Sequence, residues 1–454
     1  MKLKSLLKQA KNSKFTKDLF ITVIGQIVVL LVTFGLNKVL SNKVSIADFG
    51  VYNTIKKASA VLTYIMLIAM GIAIPKYLPE RFAYDDKKGA SAYFFSALII
   101  IGSVSVVTIA VMMFAQVPIA KLIFGAEGYN KYIAPMTVYS FAVALVTFAY
   151  SYYRAVERFY AYSISQIIGQ FITFIPIFFL HNDLVMLVWV WAASFGVFAL
   201  VILIKASIKM WKTAPICGIK ELGKPTKELL TYGLPRLPGE FVLFALSLVP
   251  LIIISNKFDL IQTGYYSAAL TVNTSVTALF SFVGIILLPA VSKSLVNNDF
   301  DAIKKRIVFI TIVFCVLALL MIGFVELFPK FVINVLYSKE YYEAIPIIKI
   351  IIIGILPNAF YLLFRNPLDA ISKIPYNTIC LLIGFATMVG LMLAFDTIEM
   401  CAVAYVIGYT VIGVLSIIAW LLCLHLRKKK IEQADRTEAA SDETNKIEEK
   451  TEED

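Results

Sequence analysis

Twelve apolar stretches, each long enough to cross a bilayer, divide this chain, and they restrict its fold more than any motif does. They cover about residues 19–40, 54–74, 90–114, 132–152, 162–180, 184–206, 231–254, 264–288, 307–328, 345–365, 376–395 and 399–425. A spanning helix needs ~20 mostly apolar residues, because hydrocarbon offers backbone groups no water to bond. The runs are continuous rather than alternating at every second residue, so helices are expected and a barrel is not. Composition agrees: 59% hydrophobic residues, 16% charged and a mean hydropathy of +0.81 lie far from a soluble domain.

Orientation follows from the basic residues. With the N-terminus in the cytoplasm, the inner segments carry 28 Lys and Arg and the outer segments 9, the asymmetry expected of cytoplasmic loops. Both termini are therefore expected inside. The same asymmetry explains the net charge of +12, so no nucleic-acid partner is inferred. Residues 1–18 are polar and lysine-rich. They read as a positive-inside anchor or an interfacial amphipathic helix, not as a cleavable signal. The five cysteines, Cys217, Cys315, Cys380, Cys401 and Cys423, have no ligand spacing and read as packing residues.

The two halves of the chain repeat one another. Ser41-Asn42-Lys43, then Gly50 and Tyr52, return 214 residues later as Ser255-Asn256-Lys257, Gly264 and Tyr266, and Pro75 returns as Pro289. At an offset of 211, Pro118, Pro135 and Arg154 return as Pro329, Pro346 and Arg365. Each half has an even number of spans, so both copies enter the membrane from the same side and the repeats are parallel. The expected fold is an all-α integral membrane protein of twelve transmembrane helices in two six-helix repeats. Its divisions are a lobe over 1–210, a basic, flexible cytoplasmic linker over 211–227, a second lobe over 228–428 and an acidic tail over 429–454. Residues 431–454 hold ten acidic and three basic residues, a composition that reads as disordered. A duplicated bundle of this kind points to a transporter with its site between the halves.

Polar residues inside spans are the candidate site, because burial in lipid is costly unless they face a polar cavity. Gly233-Leu234-Pro235-Arg236-Leu237-Pro238-Gly239-Glu240 weakens its own helix, and freed carbonyls could line a cavity. Arg236 and Glu240 are four apart and share a face. Either Arg236 binds an anionic head group while Glu240 takes a coupling proton or sodium ion, or the two form an ion pair that locks a kinked helix. Gln166 and Gln170, with Thr173 one turn on, line a lumen or join helices by contacts of ~0.6–2 kcal/mol. Asn273 and Asn358 carry the same two readings. Arg154 and Arg365 could meet phosphate at the inner mouth or simply satisfy the charge rule. Lys349 is expected to snorkel outward. His181 and His425 have no metal partner, and no Walker loop is present to use ATP.

These residues resemble the polysaccharide flippase family, the Wzx-like branch of the superfamily that also holds multidrug and toxin extrusion (MATE) transporters and lipid II flippases. The resemblance covers nearly all of residues 15–428. It rests on Asp48-Phe49-Gly50-Val51-Tyr52, Gly233-Leu234-Pro235 and Thr263-Gly264-Tyr265-Tyr266-Ser267-Ala268-Ala269. Ala120 to Gly125 and Tyr153-Arg154-Ala155-Val156-Glu157-Arg158 add weaker matches. It implies a MATE-like V of two lobes working by alternating access, without enzymatic activity or a cofactor. It implies a polyprenyl- or dolichyl-pyrophosphate-linked oligosaccharide as the molecule moved, in the cytoplasmic membrane. Membrane lipids and other membrane proteins of polysaccharide assembly are the implied partners. A cation-coupled multidrug exporter of the same fold is the rival reading, and it should show an acidic cavity.

Overall fold

The computed structural model describes residues 14–213, 218, 220–296, 300–371 and 375–452, and every regular element among them is helical. The first half comprises α1 (Lys14–Ser41), α2 (Ile46–Leu67), α3 (Met70–Ala83), α4 (Lys87–Phe114), α5 (Gln116–Phe124), α6 (Ile133–Ala155), α7 (Phe159–Phe174), α8 (Ile177–Leu180) and α9 (Leu184–Thr213). α10 (Lys220–Gly233) leads into the second half, α11 (Leu237–Lys257), α12 (Leu260–Val296), α13 (Phe300–Leu327) and α14 (Pro329–Leu336). α15 (Ile345–Ile353), α16 (Ile355–Ile371), α17 (Tyr376–Ala394) and α18 (Ile398–Glu452) complete it. Among the described residues ten helices are long and apolar enough to span, and α2 with α3 forms an eleventh span bent by 41°. α12, 37 residues long, occupies the eighth predicted stretch, although side chains are not described over its last part. The set is consistent with the twelve spans expected.

The duplication is visible in the packing. In the first half α1 packs on α7, and α6 on α2 and α9; in the second α11 packs on α17, and α16 on α12 and α18. Many large apolar side chains remain outside these contacts, among them Phe114, Phe179 and Leu327, as a molecule solvated by lipid requires. The lobes meet where α2 crosses α12 and α11. α1 finishes at Ser41, beside the loop after α14, and α18 starts beside Lys257, which pairs with Asp396 at 3.3 Å. Call this the clasp end; α1 starts, and the span of α18 finishes, at the other.

Two expectations meet a different structure. The connection between halves is not loose from residue 220 onward, because α10 docks on α4 of the first lobe. Lys88 pairs with Glu221 at 2.7 Å, Ser96 donates to the Leu222 carbonyl at 3.2 Å, and the Tyr93 hydroxyl bonds Glu228. The chain bends between α10 and α11 at a 3-10 turn, Leu234–Arg236, where Pro235 and Pro238 each lack the N–H a continuous helix would use. The acidic tail, expected to be disordered, continues α18 as helical backbone to Glu452. Its Glu, Lys and Ala are good helix formers and extend a helix already nucleated, so no new nucleation cost arises. The N-terminal amphipathic segment and Cys217 lie outside the described residues.

A cationic cavity in one lobe

The bend in the second span begins the site. Ile68 and Ala69 adopt left-handed backbone, with φ of 42° and 56°, a strained conformation for residues with a Cβ. Pro75 inside α3 lacks the N–H that would bond the Gly71 carbonyl. That carbonyl accepts instead from Arg154 Nη2 and Ser151 Oγ, each at 3.0 Å. The repeated Pro and Arg are therefore one device in the first lobe, the arginine capping what the proline frees. Gly233 lies against the same break, where a Cβ would fall 2.6 Å from the Ile68 carbonyl oxygen.

Behind the bend is a cavity of about 490 Å³, lined mainly by α2, α3, α6 and α7. Its polar lining includes Lys56, Arg154, Gln166 and Gln170, with Thr63, Thr147 and Thr173. Arg154 and Ile72, at the end away from the clasp, are exposed, so the cavity opens there. Among the described residues Glu240 is the sole carboxylate on its lining, and Arg365 Nη2 holds it at 2.7 Å. With that charge compensated, Lys56 and Arg154 leave the cavity cationic.

Lys56 was not anticipated. The sequence reading began the second span at residue 54 and counted Lys56 and Lys57 as outer-loop residues. The structure starts α2 at Ile46, with Ser45 as N-cap: its Oγ accepts from the Asp48 N–H at 3.1 Å. Lys56 is thus three turns inside a helix. Its ammonium lies 5.3 Å from the Trp191 ring centroid and 5.7 Å from that of Tyr139, with the Tyr139 hydroxyl at 3.4 Å. No carboxylate partners it among the described residues. Two ring faces offset part of the cost of a desolvated cation and leave its remaining donors directed at whatever enters. The signal was present: Ser45-Ile46-Ala47-Asp48 is a helix-start pattern, and reading it would have buried both lysines. Both leave the outer tally of basic residues, which sharpens the original asymmetry.

The other candidates separate into two groups. Gln166 and Gln170 both reach the cavity; Gln166 Oε1 accepts from Gln26 Nε2 at 2.7 Å, a bond between α7 and α1. Arg154 also reaches it, and its guanidinium retains donors beyond the Gly71 bond. Asn273 and Asn358 do not. Asn273 donates to the Tyr405 hydroxyl at 3.1 Å and Asn358 to Thr277 at 3.3 Å, joining helices inside the second lobe. Arg236 and Glu240 do not pair, despite their spacing. The 3-10 turn rotates Arg236 away, and it is exposed, donating to the Tyr232 carbonyl at 2.9 Å with its guanidinium 3.8 Å from the Tyr232 ring centroid. Lys349 does not simply snorkel outward, since it pairs with Glu326 at 3.2 Å.

Two helical lobes spanning a bilayer, joined at one end and holding a polar cavity open at the other, define a membrane transporter. The chain belongs to the polysaccharide biosynthesis protein family, whose model matches residues 15–295. Its fold is that of the MATE transporters of the MOP superfamily. An inward-facing multidrug resistance MATE family transporter superposes with a TM-score of 0.74 at 12% identity, over 89% of this chain and 95% of that one. An outward-facing multidrug resistance MATE family transporter gives 0.65 at 13% identity, over 94% and 98%. A MOP superfamily transporter from Pyrococcus furiosus, described by the reverse polarity of its binding pocket, gives 0.60 at 15% identity, over 91% and 94%. No curated protein matches the sequence.

Proposed function

We propose that this transporter is a flippase for an anionic lipid-linked sugar, a polyprenyl- or dolichyl-pyrophosphate-linked oligosaccharide. It carries the head group from the inner to the outer leaflet of the cytoplasmic membrane for surface polysaccharide assembly. The observation that supports this reading is the charge of the cavity: Lys56 and Arg154 face it, and its one carboxylate among the described residues, Glu240, is already held by Arg365. A pyrophosphate needs such a surface, since neither it nor a sugar chain crosses ~30 Å of hydrocarbon unaided. The prenyl tail can stay in lipid while the head crosses. Gln166, Gln170 and the threonine hydroxyls supply donors and acceptors suited to sugar. A cation exporter would need an uncompensated acid where this cavity has a compensated one.

On this reading the clasp end faces outward and both termini face the cytoplasm, as the basic-residue asymmetry supports. An inside-negative potential then assists export of the head group by ~2.3 kcal/mol per charge per 100 mV. The test is gene deletion followed by analysis of lipid-linked sugars and surface glycan. Loss of surface polysaccharide with accumulated precursor, restored by the wild-type gene and not by Lys56→Met, is the expected outcome. Unchanged surface polysaccharide with no stored precursor would sink the proposal.

A further inference from the structure

The repeated tripeptide takes no part in the cavity, and its structural role is different. Ser255 Oγ donates to the Ile123 carbonyl at 3.0 Å, and Asn256 Nδ2 donates to the Leu122 carbonyl at 2.8 Å. Both carbonyls lie in the last turn of α5, in the other lobe, where a helix leaves its carbonyls unpaired. The first lobe reciprocates at α14. Lys38 Nζ donates to the carbonyls of Asn334 at 2.7 Å and Tyr337 at 2.5 Å, and the Ser338 N–H donates to Ser41 Oγ at 3.1 Å. Asn334 is the repeat equivalent of Ile123, so each lobe caps the same place on its partner. A lysine at a helix C-terminus also meets the favourable end of the helix dipole.

The other repeated positions lie beneath these caps. A Cβ on Gly50 would fall 2.8 Å from both the Gly264 nitrogen and the Leu260 carbonyl oxygen; one on Gly264 would collide with the Ile46 carbonyl. Leu260 and Ile46 are themselves repeat equivalents, as are Asn53 and Ser267, which bond to each other at 3.2 Å. The pseudo-twofold axis therefore runs between Gly50 and Gly264, where α2 and α12 touch backbone to backbone. Gly125, at φ +75°, also needs no Cβ, which would meet the Ser255 carbonyl oxygen at 2.7 Å.

We infer that Ser255 and Asn256 of one lobe, Lys38 and Ser41 of the other, and the duplicated Gly50 and Gly264 form the transporter's gate at the clasp end, a reciprocal pair of helix caps over a glycine crossing. The caps suit a seal that must release. Their partners are terminal carbonyls beside exposed side chains such as Asn42 and Asn256, which water can serve when the lobes part, so no group is orphaned on opening. The glycine crossing makes closure tight, because two helices approach this near only where side chains are missing. The duplicated serines and glycines thus meet across the interface between the lobes, as a two-sided gate requires.

The test uses a membrane-impermeant maleimide and a reporter cysteine in the cavity, Ser59→Cys, in a background with the natural cysteines replaced. Labelling from the clasp side, in sealed vesicles of known orientation, reads gate opening. Gly50→Val is expected to raise clasp-side labelling several-fold, and Lys38→Met, which removes only a surface cap, to raise it by less. Ser41→Cys with Ser338→Cys should cross-link on oxidation and abolish clasp-side labelling, leaving labelling from the opposite side intact and returning with reductant. Clasp-side labelling that persists in the cross-linked protein would overturn the gate. So would labelling unmoved by Lys38→Met in folded, membrane-inserted protein. These readouts need no substrate, so they stand apart from the identity of the cargo.

Discussion

The two lobes share a fold, yet among the described residues the charged cavity is lined mainly by the first. Lys56 on α2 has Leu270 as its equivalent on α12, and Leu270 is fully buried. Thr147, on the cavity wall, has Asn358 as its equivalent, bonded to Thr277 within the second lobe. Arg154 caps the Gly71 carbonyl and faces the cavity, whereas Arg365 holds Glu240. Duplication thus preserved Ser41 with Ser255 and Gly50 with Gly264, where the halves touch, while Lys56 and Thr147 on the cavity wall differ from their equivalents.

The largest effect is expected at Lys56. Lys56→Met should bring surface polysaccharide down to the level of the empty-vector control with normal membrane expression, while Leu270→Met in the other lobe leaves it unchanged. If both substitutions were equally harmful, the asymmetry between lobes would lose its functional meaning. Arg154→Ala and Arg365→Ala offer the next contrast. The former should impair export by removing a cavity cation and the cap on Gly71. Arg365→Ala should act first on stability, since it strips its partner from the part-buried Glu240 carboxylate, at ~1–3 kcal/mol. Thermal unfolding in detergent would show this, and adding Glu240→Gln should recover most of the loss.

Smaller again is Asn273→Leu, which removes one bond between helices of the second lobe, worth ~0.6–1.7 kcal/mol. A modest fall in thermal stability with unimpaired export is expected, and impaired export would move the cargo path into that lobe. Arg236→Ala should change least. It removes one bond to the Tyr232 carbonyl and one ring contact at an exposed turn, so export and unfolding temperature should both stay near wild type. A transport defect there would make the bend between α10 and α11 part of the site.

Much of the scaffold could be read before any coordinates, because spans depend on local composition and repeats on residue identity. The break at Leu234–Arg236 was legible from Pro235 and Pro238, but the partner of Glu240 was not. Spacing of four residues nominated Arg236, and a rotation at one 3-10 turn gave the bond to Arg365, 125 residues away. Gln166 and Gln170 were legible as a polar face of one helix, and Asn273 and Asn358 looked the same. Nothing local distinguishes a polar residue that faces a lumen from one that faces a neighbouring helix. Lys56 was missed through a boundary error, where an apolar-run criterion outweighed the cap at Ser45.

The sequence by itself determined a polytopic helical protein, its division into two parallel copies, and the bias of positive charge toward one side of the membrane. Each of these is set by how a short segment partitions between water and hydrocarbon, a property summed along the chain. Only the tertiary structure decided that the cavity is lined mainly by the first lobe, that Glu240 on its wall is already paired with Arg365, and that Ser255 and Asn256 cap a helix of the other lobe. Those depend on which helix faces meet across hundreds of residues, and burial, pairing and capping exist only once the faces have met.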